Sequence, residues 1–345
     1  MSLHASERST MIDCIRRAAG GRDLNAAAMR GAVGAMIGGE ATSAQIAALL
    51  VALSLKGETA EEIAGAAQAL RAHVVPVRTT RRPLMDVCGT GGDGAGTFNV
   101  STATAFVVAG AGIAVAKHGN RAMSSRCGSA DVLAQLGVRI DVPADTASSS
   151  LERHGIAFLF AQTHHPAMRS VAPIRREIGV RTLFNVLGPL SNPAGVQRQV
   201  VGVAQRAALR LVAEALAHLG CERAAVVRGE DGLDELTLSG PSRIVEWTGS
   251  GMKEYMRDPQ DFGFARRGKE AIAGGEAPRN ARLLRAVLEG RPGPHRDVVL
   301  FNAALALEIG GAADDMREGC EIAKRSVDSG AALSKLEALV AATNA

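Results

Sequence analysis

The sequence predicts an α/β fold, with a small N-terminal helical domain and a large domain whose mainly parallel β-sheet is flanked by helices. About the first 75 residues carry only helical patterns, with apolar side chains three and four positions apart. After Pro83, short apolar runs alternate with helical segments, which is typical of a parallel sheet. Apolar residues make up 47% of the 345 positions, enough for a large core. We therefore assign residues 1–75 to the helical domain and residues 76–345 to the α/β domain.

Three helices are expected in the N-terminal domain. The first spans residues 24–37 and ends before a pair of glycines that suits a helix C-terminus. The second and third each begin with a capping box, in which Thr42 pairs with Gln45 and Thr59 pairs with Glu62. Because the connections are short, the three helices are expected to pack together.

Five apolar runs predict buried strands in the α/β domain, at residues 84–88, 112–116, 155–160, 198–203 and 223–227. Helical patterns lie between them at residues 101–112, 129–137 and 207–220. Ligands of such sheets bind beyond the carboxyl ends of the strands. The Gly- and Arg-rich stretch 264–280 is expected to be a mobile loop.

Composition excludes several classes of function. The net charge of +4 is modest, and eight Phe, one Trp and one Tyr are too few to stack nucleic-acid bases. No apolar run is long enough to span a membrane, and the N-terminus lacks the layout of a signal peptide. The five cysteines are dispersed without a CxxC pair, which suits reduced thiols. We expect a cytoplasmic protein that binds neither nucleic acid nor membranes.

The stretch DVCGTGGDGAGTFNVST, residues 86–102, raises the question of a dinucleotide site. Gly89, Gly91 and Gly94 match G-x-G-x-x-G between a predicted strand and a predicted helix. A Rossmann site also needs an acidic residue about 20 positions further on, for the ribose hydroxyls. The second strand instead ends in KHGNR, residues 117–121, without a carboxylate. NAD is therefore excluded, and so is a Walker P-loop, because no Gly-Lys-Ser/Thr follows the glycines.

The same stretch favours a different phosphate site. Asn99, Ser101 and Thr102 stand at the start of the predicted helix, where free N–H groups and the helix dipole bind phosphate oxygens. A simple N-cap would explain Ser101 or Thr102 alone. Lys117 and the polar block after it add cations and hydroxyls at the neighbouring strand end. Together the two strand ends indicate a highly phosphorylated ligand.

Several motifs in this order resemble the anthranilate phosphoribosyltransferase family. They are GTGGD at 89–93, NxST at 99–102, KHGNRxxSS at 117–125, the segment 164–193 and the acidic segment 229–240. The resemblance covers nearly the whole chain and implies a fold of the nucleoside phosphorylase/phosphoribosyltransferase type. It implies transfer of the phosphoribosyl group of phosphoribosyl diphosphate (PRPP) to the amine of anthranilate. The products are N-(5-phosphoribosyl)anthranilate and diphosphate, in tryptophan biosynthesis.

The resemblance also implies the site residues, with Lys117, Asn120 and Arg175 in catalytic roles. PRPP would lie on Gly89, Gly92, Asp93, Thr97, Asn99, Val100, Ser101, Thr102, Lys117, His118, Gly119, Asn120, Arg121, Ala122, Met123, Ser124, Ser125 and Ser129. Anthranilate would contact Gly89, Asn120 and Arg175, with a turn at Gly188 and Pro189 lining its pocket. Ser101, Asp234 and Glu235 would hold Mg²⁺. Helices from about 167–192 would join the helical domain, through which a homodimer would form.

One departure from the family pattern lies at Arg126–Gly128, which reads RCG where Lys-Ser-Gly is expected. Arg126 keeps the charge, but Cys127 lacks the hydroxyl, so Cys127 is left out of the predicted site. Taken alone, Asp234 and Glu235 would be a solvated loop pair, but a diphosphate needs magnesium, which favours a metal role. Arg175 alone would be a surface arginine.

Two alternative functions stay open at this point. A pyrimidine nucleoside phosphorylase shares the implied fold but lacks the combination of NxST and KHGNR. A nucleic-acid-binding paralogue without activity predicts a lost metal pair and a strongly basic groove, whereas Asp234 and Glu235 are present and the charge is modest. The main hypothesis needs no covalent nucleophile, because an aromatic amine is uncharged at neutral pH and attacks directly.

Overall fold

The computed structural model describes residues 10–122 and 126–345. The chain divides into two compact units: a helical unit, Met1–Val75 with His165–Ser191, and an α/β unit, Pro76–His164 with Asn192–Ala345. Among the described residues, no helix is long and apolar enough to cross a membrane.

The elements follow one another in chain order. The helices are α1 (Met11–Ala19), α2 (Ala26–Ile37), α3 (Ser43–Lys56), α4 (Ala60–Ala72), α5 (Val100–Gly110), α6 (Ser129–Gln135), α7 (Ala144–His154), α8 (Ala161–His164), α9 (Ala172–Ile178), α10 (Phe184–Leu190), α11 (Ala208–His218), α12 (Ala277–Leu288), α13 (Pro294–Gly310), α14 (Met316–Asp328) and α15 (Ala331–Asn344). The strands are β1 (Leu84–Gly89), β2 (Ala114–Gly119), β3 (Ile156–Phe160), β4 (Arg198–Gly202), β5 (Arg223–Gly229), β6 (Ser242–Trp247) and β7 (Met252–Arg257).

The two predicted capping boxes are confirmed at the start of α3 and α4. In each box the Thr hydroxyl accepts from the backbone N–H of the third helical residue, whose side chain accepts from the Thr backbone in return. A further helix, α1, was missed, although Thr10 and Asp13 form a capping box of their own. Its apolar residues Met11, Cys14, Ile15 and Ala18 do recur three and four positions apart, so the helical signal was present, although it extends over only nine residues.

A buried carboxylate holds the helical unit together. Glu62, 1% exposed, accepts hydrogen bonds from Leu24 N at 2.8 Å and Thr59 N at 2.8 Å. Lys56 Nζ lies 3.0 Å from Glu62 and 2.7 Å from Asp23. Because removal of one partner would leave a buried charge unpaired, these contacts make the helix packing specific.

The α/β unit is built on one seven-stranded sheet with the order β3-β2-β1-β4-β5-β6-β7. The five strands predicted from the sequence are the parallel ones, β1 to β5. The antiparallel edge pair β6 and β7 was not predicted. The edge strand β7 has the sequence MKEYMR and no fully buried residue, so it lacks the apolar run that marks a central strand.

The core of the α/β unit lies between the sheet and its helices. Phe106 of α5 and Phe301 of α13 are almost fully buried, and α13 is buried from Val298 to Gly310. Helix α5 packs against β1, β2 and α13. This packing places the N-terminus of α5 beside the carboxyl ends of β1 and β2, the edge where parallel sheets bind ligands.

Candidate active site

The glycine loop after β1 has a backbone that only glycine adopts readily. Gly91, Gly92, Gly94 and Gly96 have φ values of 66°, 82°, 66° and 63°. A Cβ atom would be strained at each of these positions. Four such residues within six positions fold the chain sharply between β1 and α5, and all four glycines are exposed.

Asp234 lies directly against the ends of β1 and β4. Its Oδ2 accepts from Gly91 N at 2.9 Å. A Cβ at Gly89 would stand 2.6 Å from Asp234 Oδ2, and one at Gly202 would stand 1.6 Å from Asp234 O. The two glycines that end these paired strands therefore leave the space that the acidic segment occupies.

Glu235, Ser101 and Lys117 meet at the first turn of α5. Glu235, 8% exposed, accepts from Ser101 N at 3.1 Å. Lys117 Nζ donates to Val87 O at 2.7 Å and to Ser101 Oγ at 3.3 Å. Lys117 is itself 4% exposed, so it supplies positive charge from beneath the helix terminus.

Negative charge is concentrated at this point. Burial, followed by the Asp93 carboxylate, raises the pKa of Asp234 to about 7. Burial and the charge of Asp234 raise the pKa of Glu235 well above its ordinary value, while Lys117 opposes the shift. A cation bound here would relieve the same repulsion that a proton relieves.

The carboxylates fit Mg²⁺ that arrives with a phosphate. Among residues 10–122 and 126–345, no three His, Cys, Asp or Glu side chains are placed to hold a metal by themselves. Magnesium is usually held by one or two carboxylates, with phosphate oxygens and water completing its shell. Asp234 and Glu235 offer two hard oxygen donors, and Ser101, whose N–H donates to Glu235, carries a hydroxyl that accepts from Lys117.

The remaining predicted residues of the glycine loop differ in how they could act. Asp93 is partly buried and accepts from Ala95 N at 3.1 Å, and Thr97 forms an isolated bridge with Ala273. Val100 is 2% exposed and Thr102 is 1% exposed. Both side chains are buried, and the backbone groups of these residues lie in the first turn of α5.

Asp131 of α6 closes the loop that follows β2. Its Oδ2 accepts from Ala122 N and Gly128 N, both at 2.9 Å, and Arg121 Nη1 lies 2.9 Å from its Oδ1. Burial works against ionisation, but these hydrogen bonds lower the pKa of Asp131. The predicted residues Met123, Ser124 and Ser125 lie outside the part of the chain that the structure describes.

The other predicted residues of this loop are held by backbone contacts. Asn120 O accepts from Ala130 N at 3.1 Å and from Ser129 Oγ at 3.3 Å. His118 is 7% exposed, and its backbone N–H donates to Asp86 at 3.3 Å. The Asn120 side chain is exposed and stands at the end of β2.

Gly119 is the last residue of β2, and the three remaining predicted residues, Arg175, Gly188 and Pro189, belong to the helical unit. Arg175 lies on α9 with its guanidinium 5.3 Å from the ring centre of Phe184, and burial lowers its pKa. Gly188 and Pro189 lie inside α10, so the predicted turn at these positions is wrong. Because proline has no backbone N–H, Pro189 cannot donate the helical hydrogen bond to Asn185 O.

Cys127 carries a buried thiol. It is 7% exposed, and burial raises its pKa to about 11. The thiolate, which is the reactive form, is therefore suppressed at neutral pH.

Sequence reasoning missed Asp131 and two buried polar residues that support the site. Asp86, on β1, accepts from Asn192 Nδ2 at 2.8 Å. Asn302, on α13, accepts from Leu236 N and donates to Leu236 O, both at 2.9 Å, beside the acidic pair. A polar residue alone in an apolar run, as in LMDVC and VVLFNAALAL, is the signal that could have identified Asp86 and Asn302.

Family comparisons first define the class of protein. Residues 12–74 match the helical bundle domain of the glycosyl transferase family, and residues 81–333 match its a/b domain. The two matches together cover most of the chain, which therefore belongs to the glycosyl transferase family.

Individual relatives narrow the class. The chain is 54% identical over 318 residues to the anthranilate phosphoribosyltransferase of Thermomicrobium roseum, covering 91% of each chain. It matches the crystal structure of the Thermus thermophilus enzyme at 46% identity and a TM-score of 0.92, covering 96% of this chain and 100% of that one. The Saccharomyces cerevisiae enzyme in complex with PRPP and Mg matches at 29% identity and a TM-score of 0.88, over 99% of each chain. The same enzyme has a structure with 4-fluoroanthranilate, at 27% identity and a TM-score of 0.87, again over 99% of each chain. The chain belongs to the anthranilate phosphoribosyltransferase family.

Proposed function

We propose that this protein transfers the phosphoribosyl group of PRPP to the amine of anthranilate, giving N-(5-phosphoribosyl)anthranilate and diphosphate in tryptophan biosynthesis. The observation that carries the proposal is the meeting of Asp234, Glu235 and Ser101 at the first turn of α5, beside the glycine loop. The yeast relative, which binds PRPP with Mg and binds 4-fluoroanthranilate, supports it.

In this proposal, PRPP lies along the carboxyl edge of the sheet. The glycine loop and the first turn of α5 supply backbone N–H groups for its phosphates. The predicted residues from Lys117 to Ser125, with Ser129, line the second side. Lys117 places its positive charge under Ser101, where it offsets the acidic pair.

Ser101, Asp234 and Glu235 are the residues proposed to hold Mg²⁺. When bound, the ion neutralises charge on the departing diphosphate. Glu235 also accepts a hydrogen bond from the backbone of α5, which fixes the distance between the helix terminus and the acidic segment. The protein thereby holds the leaving group in place before the reaction begins.

The chemical step needs no covalent intermediate. The uncharged amine of anthranilate attacks the anomeric carbon of PRPP, the bond to the diphosphate oxygen breaks, and the amine then loses a proton. Arg175 is proposed to bind the anthranilate carboxylate, for which a planar guanidinium is well suited. Asn120 is proposed to contact both substrates from the end of β2. The helical and α/β units are the proposed functional domains, residues 1–75 with about 167–192 and the rest of 76–345.

We further propose a homodimer formed by the helical unit, in the cytoplasm. Ile12, Leu55 and Val180 are large apolar residues of this unit with 49%, 84% and 55% of their surface exposed. Ile12 lies on α1, Leu55 on α3 and Val180 just after α9, and α3 packs against both of the other helices, so exposed apolar residues on neighbouring helices support a protein interface. All five cysteines are free thiols, which supports a reducing compartment.

The test is the loss of anthranilate fluorescence when PRPP and Mg²⁺ are added to the purified protein. We expect a loss that requires all three components, with release of diphosphate. No loss combined with phosphate-dependent cleavage of uridine would instead indicate a nucleoside phosphorylase. No loss combined with salt-sensitive DNA binding would indicate the inactive paralogue.

A further inference from the structure

The segment that leads into α12 is bonded to the glycine loop. Gly274 N donates to Gly96 O at 2.9 Å, and Phe98 N donates to Ile272 O at 3.2 Å. A Cβ at Gly274 would lie 2.7 Å from both Phe98 N and Thr97 O. Residues 264–280 were expected to form a mobile loop. This prediction is wrong for residues 277–280, which begin α12, and the residues just before them pack on the glycine loop.

Asn280, in the first turn of α12, uses both ends of its amide. The residue is 1% exposed. Its Oδ1 accepts from Gly275 N at 2.8 Å, and its Nδ2 donates to Asn99 Oδ1 at 3.0 Å. Because Gly275 N–H can only donate, the amide group of Asn280 has one orientation, with its NH₂ group on Asn99.

The orientation of the Asn280 amide also fixes that of the Asn99 amide, which contacts the loop after β2. With its oxygen occupied by Asn280, its Nδ2 donates to Cys127 O at 3.1 Å. Asn99 stands at the N-cap of α5, yet its side chain makes no capping hydrogen bond. The chain Gly275–Asn280–Asn99–Cys127 thus links the two segments proposed to hold the phosphates of PRPP.

We propose that Asn280 is a positioning residue for PRPP binding, acting through Asn99 to hold the first turn of α5 and the loop after β2 at one spacing. The inference rests on the proposed function. Asn280 is buried, so its effect on the substrate passes through the residues that it contacts, the Asn99 amide and the Cys127 thiol, and Asn99 is the one that stands at the start of α5. If the two segments are held in place before PRPP binds, less conformational entropy is lost on binding.

The experiment is a double-mutant cycle between Asn280→Ala and Asn99→Ala. PRPP affinity is measured by calorimetry with Mg²⁺, and KM is measured for each substrate. We expect Asn280→Ala to weaken PRPP binding and raise its KM about tenfold, while the KM for anthranilate changes by less than about twofold. If Asn280 acts through Asn99, the double variant binds PRPP no more weakly than Asn99→Ala.

Ser326→Ala is the matched control. Ser326 Oγ donates to Val107 O at 2.8 Å, a buried contact to the same helix α5 but near its other end. This variant should lower the melting temperature without changing PRPP affinity. If Asn280→Ala does not fold, Asn280→Ser, which leaves a smaller cavity and also removes the contact with Asn99, has the same expected result.

Additive losses in the cycle, equal changes in both KM values, or unchanged PRPP affinity would each overturn the positioning role. A wild-type protein that binds PRPP but transfers nothing would overturn the proposed function, whereas the cycle would still decide the role of Asn280 through PRPP affinity. A wild-type protein that does not bind PRPP would overturn both.

Discussion

Asp234 and Glu235 sit where stability and activity make opposite demands. Each is buried enough for its pKa to rise, that of Asp234 to about 7. A carboxyl group whose pKa is raised on folding makes the folded state less stable as the pH rises from the pKa of the unfolded state to the pKa of the folded state. Above that window both groups are ionised in the free protein, which therefore carries an electrostatic cost at this edge of the sheet.

Replacing the pair by amides, Asp234→Asn with Glu235→Gln, should abolish turnover and stabilise the protein. The amides keep acceptors for Gly91 N and Ser101 N but remove the charge that would hold Mg²⁺. We expect turnover to fall at least about 100-fold, and the melting temperature at pH 8 without metal to rise by a few degrees. Steady-state assays and calorimetry check the two results. Full activity of the variant would show that Asp234 and Glu235 do not hold a metal ion needed for the reaction.

Arg175→Ala tests the anthranilate carboxylate site. The loss of a charge-assisted hydrogen bond should raise the KM for anthranilate about tenfold and leave the KM for PRPP nearly unchanged. Arg176→Ala, which removes an exposed arginine from the next position of α9, is the control. If the two variants had the same KM for anthranilate, Arg175 would have no role in binding that substrate.

Asp86 should make stability depend on pH. Burial raises its pKa from 3.8 to about 6, against the opposing effects of Lys117 and the Asn192 hydrogen bond. Its contribution is therefore most favourable below about pH 4 and declines as the pH rises to about 6, by an amount of the order of 3 kcal/mol. Urea unfolding of the wild type and Asp86→Asn between pH 4 and 7 should show their stability difference changing over this window. A difference that is independent of pH would contradict this prediction.

At the scale of the elements, local sequence signals placed helix starts well and missed elements with weak patterns. The boxes at Thr42 and Thr59 are closed by hydrogen bonds three residues apart, so a short stretch of sequence contains the whole interaction. The edge strand β7 is defined by its pairing with β6 rather than by its own residues. The relation between α2 and α4 likewise depends on contact between residues that are distant in sequence.

Gly65→Ala should destabilise the helical unit, although alanine is the better helix former. A Cβ at Gly65 would lie 2.3 Å from Ala26 O, where α2 crosses α4. The gain of about 1 kcal/mol in propensity is outweighed by overpacking against backbone, which costs about 1–3 kcal/mol or more. Gly31→Ala, on the open face of α2 with no atom within 4 Å, should instead stabilise slightly. Thermal unfolding followed by circular dichroism compares the two, and a stabilised Gly65→Ala protein would contradict the tight crossing.

At the scale of the whole molecule, the proposed homodimer depends on the exposed apolar residues of the helical unit. Leu55→Glu places a charge where 84% of a leucine is exposed, so it should convert the dimer to a monomer. Light scattering after size exclusion should give twice the 35.7 kDa chain mass for the wild type and one chain mass for the variant. Met256→Glu, at an exposed apolar position of β7, should leave the mass unchanged. A wild type of one chain mass would rule out the dimer.

The sequence by itself determined the features whose interactions are local. The five parallel strands, the capping boxes and the order of the binding motifs could be read from it, because apolar periodicity and glycine spacing are properties of short segments. The motif residues also indicated a phosphate ligand, since Lys117 stands where a dinucleotide site needs an acid.

Only the tertiary structure decided which residues meet and what their neighbours do to them. Lys117 is buried beneath Ser101, Thr102 faces the interior, and Asp131 joins two ends of a loop. Asn280 contacts Asn99 across 181 positions of sequence. Such contacts depend on how strands and helices pack, and burial alters the pKa of a carboxylate in ways that its place in the sequence does not reveal.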